Sequence, residues 1–172
     1  RRAGTLGDTV SGLLGVQNAF FGAGVGRPII RGQQGSRVQV LSGGIASLDA
    51  STSSVDHAVS IEPFLANQIE VLKGPATLLY GSGAIGGAVN VVDGRVPTAL
   101  PAPGNRGRAE LGIGTVADDR VGMARMDGGS GRFAWHVDGF RRDRGDYEIP
   151  GFARAEHEDE HEHEGEHEEE NP

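Results

Sequence analysis

The chain has 172 residues, enough for one domain with a real core or a small domain with additions. Formal net charge is −8, but ten of the 24 acidic residues fall in the last seventeen positions, so the remainder, with all 16 Lys and Arg, is slightly basic. Cysteine is absent, which excludes disulfides and every thiolate metal site, and no run approaches the eighteen apolar residues of a membrane-spanning helix. Arg1-Arg2-Ala3 leads straight into "TLGDTVSGLLGV", with no leader pattern between. There Thr5 suits an N-cap, and Leu6, Val10, Leu13 and Leu14 recur at helical spacing. "PIIRG" and "SRVQVLSGG" read as two short strands with glycine turns. "PFLANQ" reads as a short helix behind Pro63, "IEVLKG" as a strand, "PATLLYG" as a helical turn opened by Pro75, and "GAVNVVDG" as another strand. The expected fold of this part is a small α+β domain with a mixed sheet, over residues 1–95. Residues 96–106, "VPTALPAPGNR", hold three of the eight prolines and read as a linker.

Residues 107–154 change period. Ala109, Leu111 and Ile113 alternate with Arg108, Glu110 and Gly112. Val121, Met123 and Arg125 oppose Gly122, Ala124 and Met126, while Phe133, Trp135 and Val137 oppose Ala134, His136 and Asp138. This predicts an antiparallel β-meander of three strands of about ten residues, the length of a tilted membrane-spanning strand. Alternation alone suits a soluble sheet equally well. Three strands cannot close a barrel, so a membrane role requires further strands outside this piece.

"IEVLKGPATLLYGSGAIGGAVNVVDGRVP", residues 69–97, distinguishes the two. Ile69-Glu70-Val71, Lys73-Gly74-Pro75, Tyr80-Gly81, Gly86-Gly87 and Asn90 resemble the plug signature of TonB-dependent outer-membrane receptors. The upstream "TLGDTVSGLLGV" and "PIIRGQQGSRVQVLSGG" follow the family's order, so the resemblance covers roughly residues 5–154. It implies a plug followed by the start of a transmembrane β-barrel, which in this family has 22 strands. It implies an internal piece of a longer receptor, whose signal peptide, TonB-contacting box and remaining strands lie elsewhere. It also implies an outer-membrane location in a Gram-negative bacterium, the TonB energy-coupling complex and membrane lipid as partners, and a transporter rather than an enzyme. Lys73 and Arg31 would pair with charges on the barrel wall. Gly81, Gly83, Gly86 and Gly87 would supply backbone conformations closed to other residues. "YGSGAIGG" lacks the Lys-Ser/Thr ending of a phosphate-binding loop, and no nucleic-acid partner is expected.

The cargo is read from the histidines. Residues 155–172, an expected extracellular loop, carry His157, His161, His163 and His167 among carboxylates. An acidic low-complexity run can be merely solvated, but four imidazoles in eleven residues read as divalent-metal capture. The pairs His157/His161 and His163/His167 stand at i,i+4, one face of any helix. Imidazole with carboxylate suits zinc. In the plug, Asp56-His57 is an adjacent carboxylate and imidazole, ordinary taken alone. The zinc-uptake branch of the family is similar here, and the resemblance implies a metal site at Asp56 and His57 completed by barrel residues, with the His-rich loop as a further mark. Zinc is then the transported ligand. Two alternatives stay open: a receptor for a siderophore or haem chelate, and a soluble metal-buffering module with a His-rich tail. His136 is expected to face the lumen beside Asp138.

Overall fold

The computed structural model describes residues 3–22, 24–54, 56–97, 104–114 and 118–145. The N-terminal unit opens with α1 (Leu6–Val10), capped by the Thr5 side chain, which accepts from the Asp8 amide. The helix stops at Val10, short of the expected length. Leu13 and Leu14 are exposed, and the chain turns at Gly15 (φ 70°) into β1 (Val16–Phe20). β1, unread in the sequence, pairs antiparallel with β2 (Gly26–Ile30).

The main sheet has the order β4-β3-β6-β5, built from β3 (Val38–Ser42), β4 (Ile45–Ala46), β5 (Gln68–Leu72) and β6 (Gly87–Val92). β3 and β6 run parallel, while β4 and β5 are antiparallel to their neighbours. Five of the six β6 residues are buried, as a central strand covered on both faces requires. One face carries Val38, Val40, Val89 and Val91, which pack with Leu6, Val10, Val16 and Ile30. The other carries Leu41 and Ala88 under Ala84, with Leu72 and Tyr80 alongside. The expected short helix at Pro63 is a 3-10 turn, Pro63–Leu65, and the expected helical turn at Pro75 is a 3-10 segment, Pro75–Tyr80, both opened by proline.

Two motif features acquire causes here. Asn90 is buried in β6. Its Oδ1 accepts from Gly44 N at 2.8 Å and its Nδ2 donates to Glu70 Oε2 at 3.0 Å, so one side chain joins the β3–β4 turn to β5. Of the four glycines, Gly81 (φ 87°) and Gly87 (φ 155°) hold positive φ. Gly86 acts differently from expectation: a Cβ there would lie 2.4 Å from Gln33 Cβ and 3.0 Å from the Arg37 carbonyl, so close approach is what it permits.

The second unit is the meander β7 (Gly104–Gly114), β8 (Asp119–Ser130) and β9 (Phe133–Asp143). β7 begins within the expected linker, at Gly104. The register sets Leu111 opposite Gly122 and Gly122 opposite Arg141, with Met126 between Gly107 and Val137. One face therefore presents Leu111, Ile113, Met126, Phe133, Trp135 and Val137 outward, and all six are exposed. The other face lies against the N-terminal unit: Val121 and Met123 pack on Phe64 and Leu65. Gly112 lets β7 approach Phe64, since a Cβ there would meet Val121 Cγ1 at 2.8 Å and the Phe64 ring at 3.0 Å. Burying Phe64 contributes about 2–3 kcal/mol to holding the units together. Apolar out and polar in is the pattern of a wall strand around a plug.

Candidate metal site

The segment that carries Asp56 and His57 runs from β4 to the 3-10 turn at Pro63 and is rich in serine. Serine and aspartate divert backbone amides from regular structure, so the segment forms a side-chain-stapled loop. Asp49 is the staple. Its Oδ1 accepts from the Ser51 amide at 3.0 Å and from the Ser51 hydroxyl; its Oδ2 accepts from Ser47 Oγ at 2.9 Å and from the Ser60 amide at 3.0 Å. Burial alone would raise the Asp49 pKa. The Ser51 hydroxyl, the Ser60 amide and the other donors outweigh it and leave the carboxyl below its usual range. The return limb is fixed by Val59 and Ile61, which pack against the main core.

Asp56 and His57 sit at the exposed tip. Asp56 Oδ1 accepts from the Ser54 hydroxyl and lies 2.9 Å from His57 Nδ1. The Ser54 hydroxyl first, then the imidazole, holds the Asp56 carboxyl down at about 2. An ionised carboxylate only accepts, so Nδ1 carries the ring proton and a neutral His57 keeps its lone pair on Nε2. A carboxylate on the far nitrogen is how metal-binding imidazoles are commonly oriented. His57 Nε2 has no hydrogen-bond partner among the described residues. The Nε2 lone pair points away from Asp56, so in this arrangement the imidazole is the donor and the carboxylate its orienting partner; the carboxylate joins the same ion only if its bond to Nδ1 opens, and zinc takes four ligands. Among the described residues no group of three or more His, Asp or Glu side chains could hold an ion. His157, His161, His163 and His167 lie outside the described residues.

His136 does face inward, as expected. Its Nδ1 meets Asp127 and its Nε2 meets Asp138 at 3.0 Å, from opposite sides of the ring, so the three groups do not converge on one point. Asp138 is bound in turn by Arg95 at 3.0 and 3.3 Å. The cluster joins β8 and β9 to the segment that leaves β6.

The expected pairing of Lys73 and Arg31 with wall charges concerns strands beyond the three described. Lys73 donates to the Leu14 carbonyl within the N-terminal unit. Between the N-terminal unit and the described wall strands the ion pair is Glu62 with Arg142, Nη1 lying 2.7 Å from Oε2 and the guanidinium 5.4 Å from the Phe64 ring centroid. Arg142 Nη1 also donates to the Gly4 carbonyl at 2.9 Å, and Arg144 reaches Asp119 at 3.3 Å. The Arg142 contacts set Glu62 and Gly4 of the N-terminal unit against the end of β9, and Arg144 ties that end to β8 through Asp119. A cavity of about 310 Å³ lies there, between Ala58–Pro63 and the side chains of Phe140, Arg142 and Arg144. Asp49 could have been noticed as an Asp two residues before a Ser, a capping signature. Arg142 carries no local signal, because its partners lie 80 and 138 positions away.

Comparison with known proteins fits this geometry. The copper transporter OprC aligns at 25% identity and TM-score 0.69, over 83% of this chain and 21% of its own. The siderophore receptor PirA from Pseudomonas aeruginosa aligns at 22% and 0.62, over 85% of this chain and 26% of its own. A mutant of the ferric enterobactin receptor PfeA from the same organism aligns at 19% and 0.61, over 83% and 22%. The chain therefore spans about a fifth to a quarter of these proteins, and its three-stranded meander is the start of a barrel wall. The family model of the TonB-dependent receptor plug domain matches residues 1–88, just over half the chain, and to that family this chain belongs.

Proposed function

We propose that the chain is part of an outer-membrane receptor that imports a divalent metal ion, zinc foremost, using energy from the TonB complex. The observation that carries the reading is the Asp56–His57 pair: an ionised carboxylate on Nδ1 of an imidazole, exposed at the tip of a stapled loop. Such a pair makes an incomplete site. Further ligands come from wall loops or water, and an incomplete site is one from which an ion can be released when the plug moves. His157, His161, His163 and His167, in an extracellular loop, collect the ion from outside, and their carboxylate neighbours raise its local concentration. Asp56 and His57 then receive it.

A second reading is copper, favoured by the likeness to the copper transporter OprC. Affinity alone does not separate the two, since copper(II) outbinds zinc at most nitrogen and oxygen sites. Uptake does. In cells carrying the intact receptor, Asp56→Ala with His57→Ala should abolish zinc-limited growth while leaving receptor levels in the outer membrane unchanged. Deleting residues 156–170 should give a milder defect, confined to scarce zinc. A double variant that still supports zinc-limited growth but loses copper uptake selects copper. One that takes up both ions normally refutes the plug site.

A further inference from the structure

Arg27 is a buried charge with no carboxylate partner among the described residues. It projects from β2 and is 5% exposed. Its Nη1 donates to the carbonyls of Ser51 and Ser54, the latter at 2.9 Å, and its Nε has no partner among the described residues. A guanidinium withdrawn from water without a counter-charge is an expensive way to fill space, and an apolar side chain of similar length would serve the core better. What the charge does fix is one short stretch of backbone. Ser54, whose carbonyl Arg27 holds, turns its hydroxyl onto Asp56 Oδ1, and Asp56 in turn holds His57 Nδ1. From the other side Asp49 closes the same loop by bonding Ser51 and, eleven positions on, Ser60.

We propose that Arg27 and Asp49 are positioning residues for the Asp56–His57 pair, acting through Ser51, Ser54 and Ser60 to keep Asp56 on His57 Nδ1 so that Nε2 is presented to the metal. The inference rests on the metal reading above. Neither residue touches the ion. Arg27 works from beneath the loop through two carbonyls, Asp49 from its base through backbone amides and hydroxyls. Between them the serines convert a flexible composition into a fixed one. The buried charge is retained for the geometry of the tip and not for the cohesion of the core.

The test uses the full-length receptor, purified in detergent and lacking residues 156–170 so that the His-rich segment does not titrate. The probe is zinc alone, measured by competition with a chromophoric chelator. Arg27→Met, Asp49→Asn and Ser54→Ala are each expected to weaken zinc binding, by about tenfold for Ser54→Ala, the usual loss when a direct orienting partner is removed, and by less for the other two, which act through the serines. Arg27→Lys should restore part of the loss. In a His57→Ala background none of the three should have a further effect. The unfolding temperature of Arg27→Met should be unchanged or raised, which a merely structural role does not allow. Should Arg27→Met fail to accumulate, Ser54→Ala and Asp49→Asn carry the test from the surface. If His57→Ala weakens zinc while all three variants bind normally, the positioning role is overturned. If His57→Ala itself binds zinc normally, the metal reading falls and this inference with it.

Discussion

Arginine at Val137 should be far more costly than arginine at Leu111. Both side chains lie on the outward face of the meander and both are exposed. Along β9 that face reads Phe133, Trp135, Val137, Gly139, Arg141, Asp143. The aromatics mark one interface, and the Arg141–Asp143 pair, 3.0 Å apart, marks the other. Val137 stands four residues from each of Phe133 and Arg141. At a rise of about 3.4 Å and a strand tilt near 40°, that is about 10 Å of depth on either side, which puts Val137 close to the midplane of an apolar band about 25 Å tall. Leu111 shares its register row with Arg141 through Gly122, so it sits near the rim. The expected cost is about 2–4 kcal/mol for Val137→Arg and about 0–1 kcal/mol for Leu111→Arg. Ser130→Arg, beside the turn that joins β8 to β9, serves as the shallow control. The assay is guanidinium unfolding of the intact receptor folded into phosphatidylcholine vesicles. Equal losses at the three positions, or none at Val137, would refute the claim that this face meets lipid.

Arg142→Met should loosen the plug by about 3–5 kcal/mol, because it strands the Glu62 carboxylate, 12% exposed, without its partner. Glu62→Gln should cost less, since Arg142 keeps the Gly4 carbonyl, and hydrogen exchange over residues 56–66 in a double-mutant cycle measures the coupling. The pH dependence follows from depressed carboxyls. Asp49 and Asp56, both lowered in the folded protein, contribute their interactions above their unfolded value of 3.8 and lose them only as the pH falls toward the folded one. The stability these two carboxylates contribute should therefore be unchanged between pH 7 and 5, read as the unfolding temperature of the receptor lacking residues 156–170. A peptide of residues 155–172 should bind zinc at neutral pH and release it near pH 5; calorimetry showing no heat at neutral pH would remove the capture role of the four tail histidines.

The parts legible in the sequence are those whose cause is local. Pro63 and Pro75 announced turns, because a ring-locked φ starts a helical turn wherever it stands. The alternation of Phe133, Trp135 and Val137 announced a strand and its two faces. The helix was read too long because Leu13 and Leu14 keep helical spacing, yet Gly15 at positive φ and the pairing of Val16 with Ile30 end it. β1 escaped notice because "VQNAF" does not alternate: Gln17 and Asn18 are polar neighbours and Ala19 and Phe20 apolar ones. At the candidate site, Asp56 and His57 could be singled out as chemistry, but their support could not. Arg27 looks like any surface cation until β2 is placed against the serine loop. Arg142 and Glu62 are joined by chain geometry alone, and no window of residues contains both.

The parallel pairing of β3 with β6 has a consequence for the order of assembly. Val38 and Gly87 are direct partners, so the centre of the sheet forms only by closing a loop of roughly fifty residues, a non-local and therefore slow step. Everything between them, including the serine loop, is enclosed by that closure. Until β6 inserts, Val89 and Val91 are missing from the core against which Val59 and Ile61 anchor the loop, and Asn90 has not joined the β3–β4 turn to β5. A nascent chain that has not yet delivered Gly87–Val92 holds Asp56 and His57 as adjacent letters only, and the fixed tip that carries them comes into being with the last strand of the plug.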